Sequence, residues 1–245
     1  MNRAYDCLDR NALEDARAFF VQVCEMDASN AEAWLMCGAI AVETGAINAG
    51  IRLMEKAIGI APNDAHAHYT LARALIGAGR MDSALKHAAM ATELDTAHVE
   101  AWVLRGGLAG QLGRFDDAES SSRKALALSP LNTEALVNLA SALHQNGRHA
   151  EAVEAYHNVR KRGIETAQSL CGHAHALIAL GRYREAGEIL DTVVTQSPAS
   201  GAVLLQAGML REACGEHDAA ITLFARVAEL MPDDPAPLMR AAEAL

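Results

Sequence analysis

The sequence predicts an all-α solenoid of about seven helix-turn-helix hairpins, and three observations carry that prediction. Glycines stand at Gly45, Gly79, Gly113, Gly147, Gly181 and Gly215, each 34 residues after the last with no insertion or deletion. Small residues keep the same register: Gly38, Ala72, Gly106, Ala140, Ala174 and Gly208 before those glycines, and Gly50, Ala84, Ala118, Ala152, Ala186 and Ala220 after them. Composition agrees, since 51% of the residues are apolar but only 4% are aromatic. A fixed period of this length marks a stack of small units, each packed on its neighbours, rather than one globular core. Small residues at the helix crossings let two backbones approach closely where a globular core would use large side chains.

The turn has a physical reading. Glycine takes the left-handed conformation that closes the first helix, an apolar residue such as Ile47, Met81 or Phe115 follows two positions on, and an acidic or Asn residue is expected to open the second helix. Asn11 stands where the glycine of the shortened first repeat would be and can adopt the same cap. When each repeat is counted from Ala31, position four is bulky in Trp34, His68, Trp102, Leu136, Leu170 and Leu204. Position thirty-two holds Pro62, Pro130, Pro198 and Pro232, which stop the second helix.

In chain order, residues 1–30 form a partial first repeat, a stub reaching Arg10 followed by a helix from Ala12 to Met26. Six full repeats then occupy 31–234, and a partial last repeat, 235–245, carries Leu238, Ala242 and Leu245 as a stripe that partly seals the array. The whole is expected to be one array, 1–245. The repeat at 99–132 departs most from its neighbours: Arg105 and Glu119 replace packing residues, Ser122 replaces a bulky one, and Gly106, Gly107 and Gly110 fall within a helix. Helix glycines each cost about 1 kcal/mol relative to alanine, so this repeat is the expected soft joint. Arg105 and Glu119 either meet across the hairpin or extend separately to solvent.

These coincident positions resemble the tetratricopeptide repeat family over essentially the whole chain. The resemblance implies a right-handed superhelix in which the first helix of every hairpin lines a concave groove, chiefly through positions two, five, six, nine, twelve and thirteen. Candidate partner-binding residues are therefore Glu32, Leu35, Met36, His66, Tyr69, Arg73, Glu100, Val103, Glu134, Asn138, Ser141, His144, His175, Gln206 and Met209. Chaperone-binding members hold an acidic peptide with a Lys, Arg and Asn clamp, whereas the matching positions here are residues such as Leu35, Ala39, Thr70, Glu100 and Leu104. Members fused to sugar transferases or sulfotransferases carry an asparagine ladder at position six, where only Asn2 and Asn138 match.

The remaining chemistry narrows the function. A net charge of −10 without a basic run excludes a nucleic-acid or anionic-membrane surface as the expected partner. No apolar stretch approaches the roughly 18 residues of a membrane span, and no signal segment is evident, so the cytoplasm is the default location. Five cysteines with no Cys-x-x-Cys pair argue against a disulfide framework, and Cys7 and Cys37 fall at buried positions. Ten histidines include neighbours such as His66/His68 and His173/His175, but residues two apart on a helix face different ways. Neither a metal site, a cofactor site nor a nucleophile with a positioned base emerges. The expected function is a non-catalytic protein-interaction scaffold whose groove takes a basic and apolar protein or peptide segment. Two rivals are a substrate-presenting domain of a longer enzyme, such as an O-linked glycosyltransferase or sulfotransferase, and a structural repeat protein that self-associates end to end.

Overall fold

The computed structural model describes residues 4, 7, 10, 12–163, 165–232 and 234–243. The expectations for Asn2, Asn11 and Leu245, and for the side chains of Leu238 and Ala242, lie outside the described residues. Among the described residues there are fourteen helices and no strand. They are α1 (Leu13–Met26), α2 (Ala31–Glu43), α3 (Ile47–Ile60), α4 (Ala65–Gly77), α5 (Met81–Leu94), α6 (Val99–Gln111) and α7 (Phe115–Leu128). They continue with α8 (Thr133–Gln145), α9 (His149–Lys161), α10 (Ala167–Ala179), α11 (Tyr183–Gln196), α12 (Gly201–Ala213), α13 (His217–Leu230) and α14 (Ala236–Glu243).

Each hairpin closes as the period predicts. Gly45, Gly79, Gly113, Gly147, Gly181 and Gly215 all have φ between 71° and 88°, the left-handed region that an L side chain rarely adopts. The following residue donates its N–H five residues back, as in Arg80 N–H to the Leu75 carbonyl at 2.9 Å, and the glycine donates three back, as in Gly79 N–H to the Ile76 carbonyl at 2.9 Å, so two orphan carbonyls of the first helix are satisfied. The expected acidic cap is corrected by the structure. Second helices open one residue earlier, after Ala46, Arg80, Arg148, Arg182 and Glu216, none of which caps through its side chain. Asp82 lies inside the first turn instead, where it meets the positive end of the helix dipole. The side-chain caps belong to the first helices: Asn30, Asp64, Asn132 and Thr166 accept from backbone N–H groups two or three residues on.

The chain divides into two compact units, Met1–Arg114 with Ala127–Ser129, and Phe115–Leu126 with Pro130–Leu245. In the first unit α2 packs on α3 and α4 on α5, and α2 also touches α4. In the second, α8 pairs with α9, α10 with α11 and α12 with α13, while first helices touch along α8, α10 and α12. The second core runs from Leu136 through Leu170, Leu190 and Leu204 to Val227. Small residues stand at the crossings, with Ala72, Ala140, Ala174, Ala152 and Ala186 fully buried.

The division falls inside the repeat 99–132. Arg105 donates to the Thr92 hydroxyl at 2.9 Å and lies 5.4 Å over the Trp102 ring. Glu119 has partners of its own, Arg123 at 3.0 Å together with Arg148 and Asn146. The Ser121 and Ser122 hydroxyls are buried with no hydrogen-bond partner, which costs free energy that a methyl group would not. We therefore expect amides of α6 and α7 to exchange faster than those of α10 and α11. Equal protection of the two regions in a hydrogen-exchange experiment would remove the soft repeat.

Candidate functional site

In the first unit the face of α2, α4 and α6 carries the expected residues around one aromatic ring. Tyr69 is half-buried, with Arg73 5.8 Å from its centroid, His98 at 4.9 Å and His66 at 6.4 Å. His98 sits just before α6, and its Nδ1 lies 3.1 Å from a Glu100 carboxylate oxygen, which aligns an acidic group with the aromatic cluster. Glu32, His66, Arg73 and Glu100 are exposed and Met36 is half-buried. Leu35 and Val103 are different: at 4% and 5% exposure they are core residues.

In the second unit Glu134, Ser141, His175, Gln206 and Met209 are exposed, and Asn138 and His144 half-buried. The His175 ring stacks on that of His144 at 5.7 Å, and His144 Nδ1 lies 3.0 Å from His149 Nδ1. One of the two nitrogens must donate and the other accept, so the pair holds a single bridging proton. Burial lowers the pKa of His144, helped by His149 and His175, and burial lowers that of His175. Ser141 is hydrogen-bonded to Tyr156, whose phenol burial pushes up to about 12. Tyr156 comes from α9, yet it fills the space beside Gly172, where a Cβ would stand 2.8 Å from the tyrosine Cζ. This is the physical reason that position six of that repeat bears no side chain.

Several polar residues that the sequence reading did not single out hold these faces in place. Arg211 is 8% exposed, bonded to Glu216, to the Gly187 carbonyl at 3.1 Å and to Asp191 at 2.5 Å, and so ties α12 to α11. Its signal was a basic residue in a mostly apolar first helix, with Gly187 leaving room for it: a Cβ there would lie 3.3 Å from the guanidinium. Replacing Arg211 with Met is expected to cost the second unit about 2 kcal/mol, because the charged hydrogen bonds to Glu216, Asp191 and the Gly187 carbonyl are all lost. Urea unfolding of that variant checks the value. Asp191→Asn should cost far less, since its carboxylate is 79% exposed.

Position four has a job beyond bulk. The indole N–H groups of Trp34 and Trp102 donate to the Ala28 and Thr96 carbonyls at 3.0 Å, and His68 Nε2 does the same to Pro62 at 3.1 Å. That bond places the His68 proton on Nε2, so its Nδ1 accepts from His87 Nδ1 at 2.9 Å. All five cysteines are free; Cys24 and Cys37 are buried and hydrogen-bonded to each other, with burial pushing Cys37 up to about 12. Thiols so far from ionisation are core groups rather than nucleophiles. Among the described residues no group of three His, Cys, Asp or Glu side chains is arranged to hold a metal ion. Nor is any helix among them long and apolar enough to cross a membrane.

Models described as Tetratricopeptide repeat match residues 105–160, and residues 41–106 together with 177–244. The chain belongs to the tetratricopeptide repeat family. The tetratricopeptide fold is a scaffold for protein interaction, and both matched models describe repeats only. Among solved structures, a tetratricopeptide repeat protein from Parabacteroides merdae ATCC 43184 is similar over 99% of this chain and 96% of its own, at 17% identity and a TM-score of 0.71. The APC/C hetero-tetramer Cut9–Hcn1 is similar over 96% of this chain and 46% of that one, at 18% identity and a TM-score of 0.72. YrrB, described as a TPR protein with an unusual peptide-binding site, aligns over 78% of this chain and 96% of its own, at 20% identity and a TM-score of 0.57. At these identities the likeness concerns the fold. No curated protein matches the sequence.

Proposed function

We propose that this tetratricopeptide repeat protein is a non-catalytic scaffold that holds a basic, partly apolar protein segment on the faces of its first helices. The observation that carries the reading is charge. Glu32, Glu100 and Glu134 recur at position two and are exposed, whereas Arg73 is the sole Arg or Lys among the candidate residues. Beside the carboxylates stand the half-buried Tyr69 and Met36 and the exposed Met209, adaptable apolar surface of the kind partner-binding faces use. Lys or Arg of a segment finds the glutamates, and its apolar residues find the rest. An acidic partner meets like charge. YrrB, a relative in fold, has a peptide-binding site, which accords with this use of the scaffold.

The test uses two synthetic peptides of equal length, one alternating Lys with Leu and one alternating Glu with Leu, titrated by fluorescence anisotropy at low and high salt. The basic peptide is expected to bind more tightly and to weaken as salt rises, because exposed carboxylates are screened. Glu100→Gln with Glu134→Gln should slow its association several-fold, and Met209→Asp should speed its release. Glu229→Gln, on the second helix α13, serves as the control. Equal binding of both peptides, or sensitivity at Glu229 and not at the first helices, overturns the reading.

A further inference from the structure

The second unit has a pocket that shares no lining residue with those faces. It lies between the second helices α9 and α11 and above α10, with a volume of ≈310 Å³, at the small end of the range for ligand sites. Val153, Leu177 and Ile189 supply apolar wall, His157 and His173 supply rings, and the rest of the lining is charged. The His173 imidazole is 6% exposed and stacks on Tyr156 at 5.7 Å, yet it makes no hydrogen bond among the described residues. Its ring nitrogens are therefore free to hydrogen-bond with whatever enters the cavity.

The charges around the pocket are matched unevenly. Arg182 is held by Glu185 in a bidentate pair, with Nε and Nη2 donating at 2.8 and 2.7 Å. Arg160 meets Glu165, Nε to Oε1 at 3.3 Å, and has no other ion pair among the described residues. Glu154 and Glu188 line the same pocket, are exposed, and have no ion pair there. One guanidinium end and two carboxylates are thus open around an apolar wall and a hydrogen-bonding ring.

We infer that this pocket binds a small zwitterionic ligand, a free aliphatic α-amino acid, with its carboxylate on Arg160, its ammonium on Glu154 and Glu188, and its side chain against Val153, Leu177 and Ile189. A purely anionic ligand would meet the two free carboxylates, and a purely cationic one would meet Arg160. Only a molecule with both charges close together matches the set. The neutral His173 ring, kept uncharged by burial and by the nearby Arg160, can donate to or accept from it without a charge of its own.

The test follows the His173 ring resonances of the full chain by NMR during titration with L-leucine, N-acetyl-L-leucine and L-leucinamide. Leucine is expected to give a saturable shift with half-saturation below about 10 mM, a weak but specific affinity. The two singly charged analogues should bind at least tenfold more weakly. Arg160→Gln and the pair Glu154→Gln with Glu188→Gln should each weaken leucine tenfold or more, and far-ultraviolet circular dichroism should show the helices intact. A saturable shift with N-acetyl-leucine or leucinamide as strong as with leucine overturns the inference, as does no saturable shift with any of the three. Unchanged affinity in both sets of variants does so too. The groove reading stands or falls separately, because none of these residues belongs to it.

Discussion

The second unit is expected to lose about 3 kcal/mol of stability as pH falls from 7 to 4, and His173 is the main cause. Its folded pKa is held near 4, against 6.5 for the free side chain, chiefly because burial penalises the charged ring. Arg160, His157 and Arg182 press in the same direction and Glu185 opposes them. Between those two values the unfolded chain binds a proton that the folded chain refuses, so stability rises with pH across that window. The penalty is absent above about pH 6.5, grows below it and is complete below about pH 4, where the difference of pKa amounts to about 3 kcal/mol. His144 and His175 add to the loss, their pKa values being lowered too. Urea unfolding at several pH values, on the protein and on His173→Phe, measures the effect. Phenylalanine keeps a ring against Tyr156 and cannot titrate, so the variant should show a shallower loss by about 3 kcal/mol. Parallel curves for the two proteins would show that His173 titrates normally in the fold.

Gly50→Ala is expected to cost the first unit about 2 kcal/mol, even though alanine in a helix is ordinarily worth about 1 kcal/mol more than glycine. A Cβ on Gly50 would lie 2.6 Å from the Gly38 carbonyl oxygen and 2.6 Å from Val42 Cγ2. The first of these is backbone, so relief requires α2 and α3 to separate rather than a side chain to rotate. Gly59 supplies the contrast on the same helix. Nothing lies within 4 Å of a Cβ there, so Gly59→Ala should stabilise by about 0.5 to 1 kcal/mol. Denaturation midpoints of the two variants should therefore move in opposite directions. Midpoints moving together would mean that close approach at this crossing does not decide the choice of glycine.

The repeat itself was legible because a period needs only counting. The left-handed glycines, the buried small residues at positions eight and twenty and the helix order all follow from spacing, since each hairpin solves the same local problem of turning and packing on its neighbour. The caps were also present in the sequence, as Asn30, Asp64, Asn132 and Thr166 recur at one register, but the reading placed the capping residue in the wrong turn. The turn at glycine fixes where the second helix begins, one residue after the glycine's successor, so the acidic residue falls inside the helix instead of before it.

What the sequence by itself determined is the class and order of the helices, the register of the turns and the family. Those properties are one-dimensional: each depends on spacing along the chain and on the preferences of single residues. Only the tertiary structure decided that Leu35 and Val103 are buried, that Tyr156 takes the space beside Gly172, that Arg211 finds Glu216, Asp191 and the Gly187 carbonyl, and that His173 closes a pocket. Each of these depends on how far a side chain reaches across a helix crossing, and the same spacing in sequence admits a buried contact or an exposed one. The distance between helices selects between them, and that distance is set jointly by the small residues on both sides of the crossing.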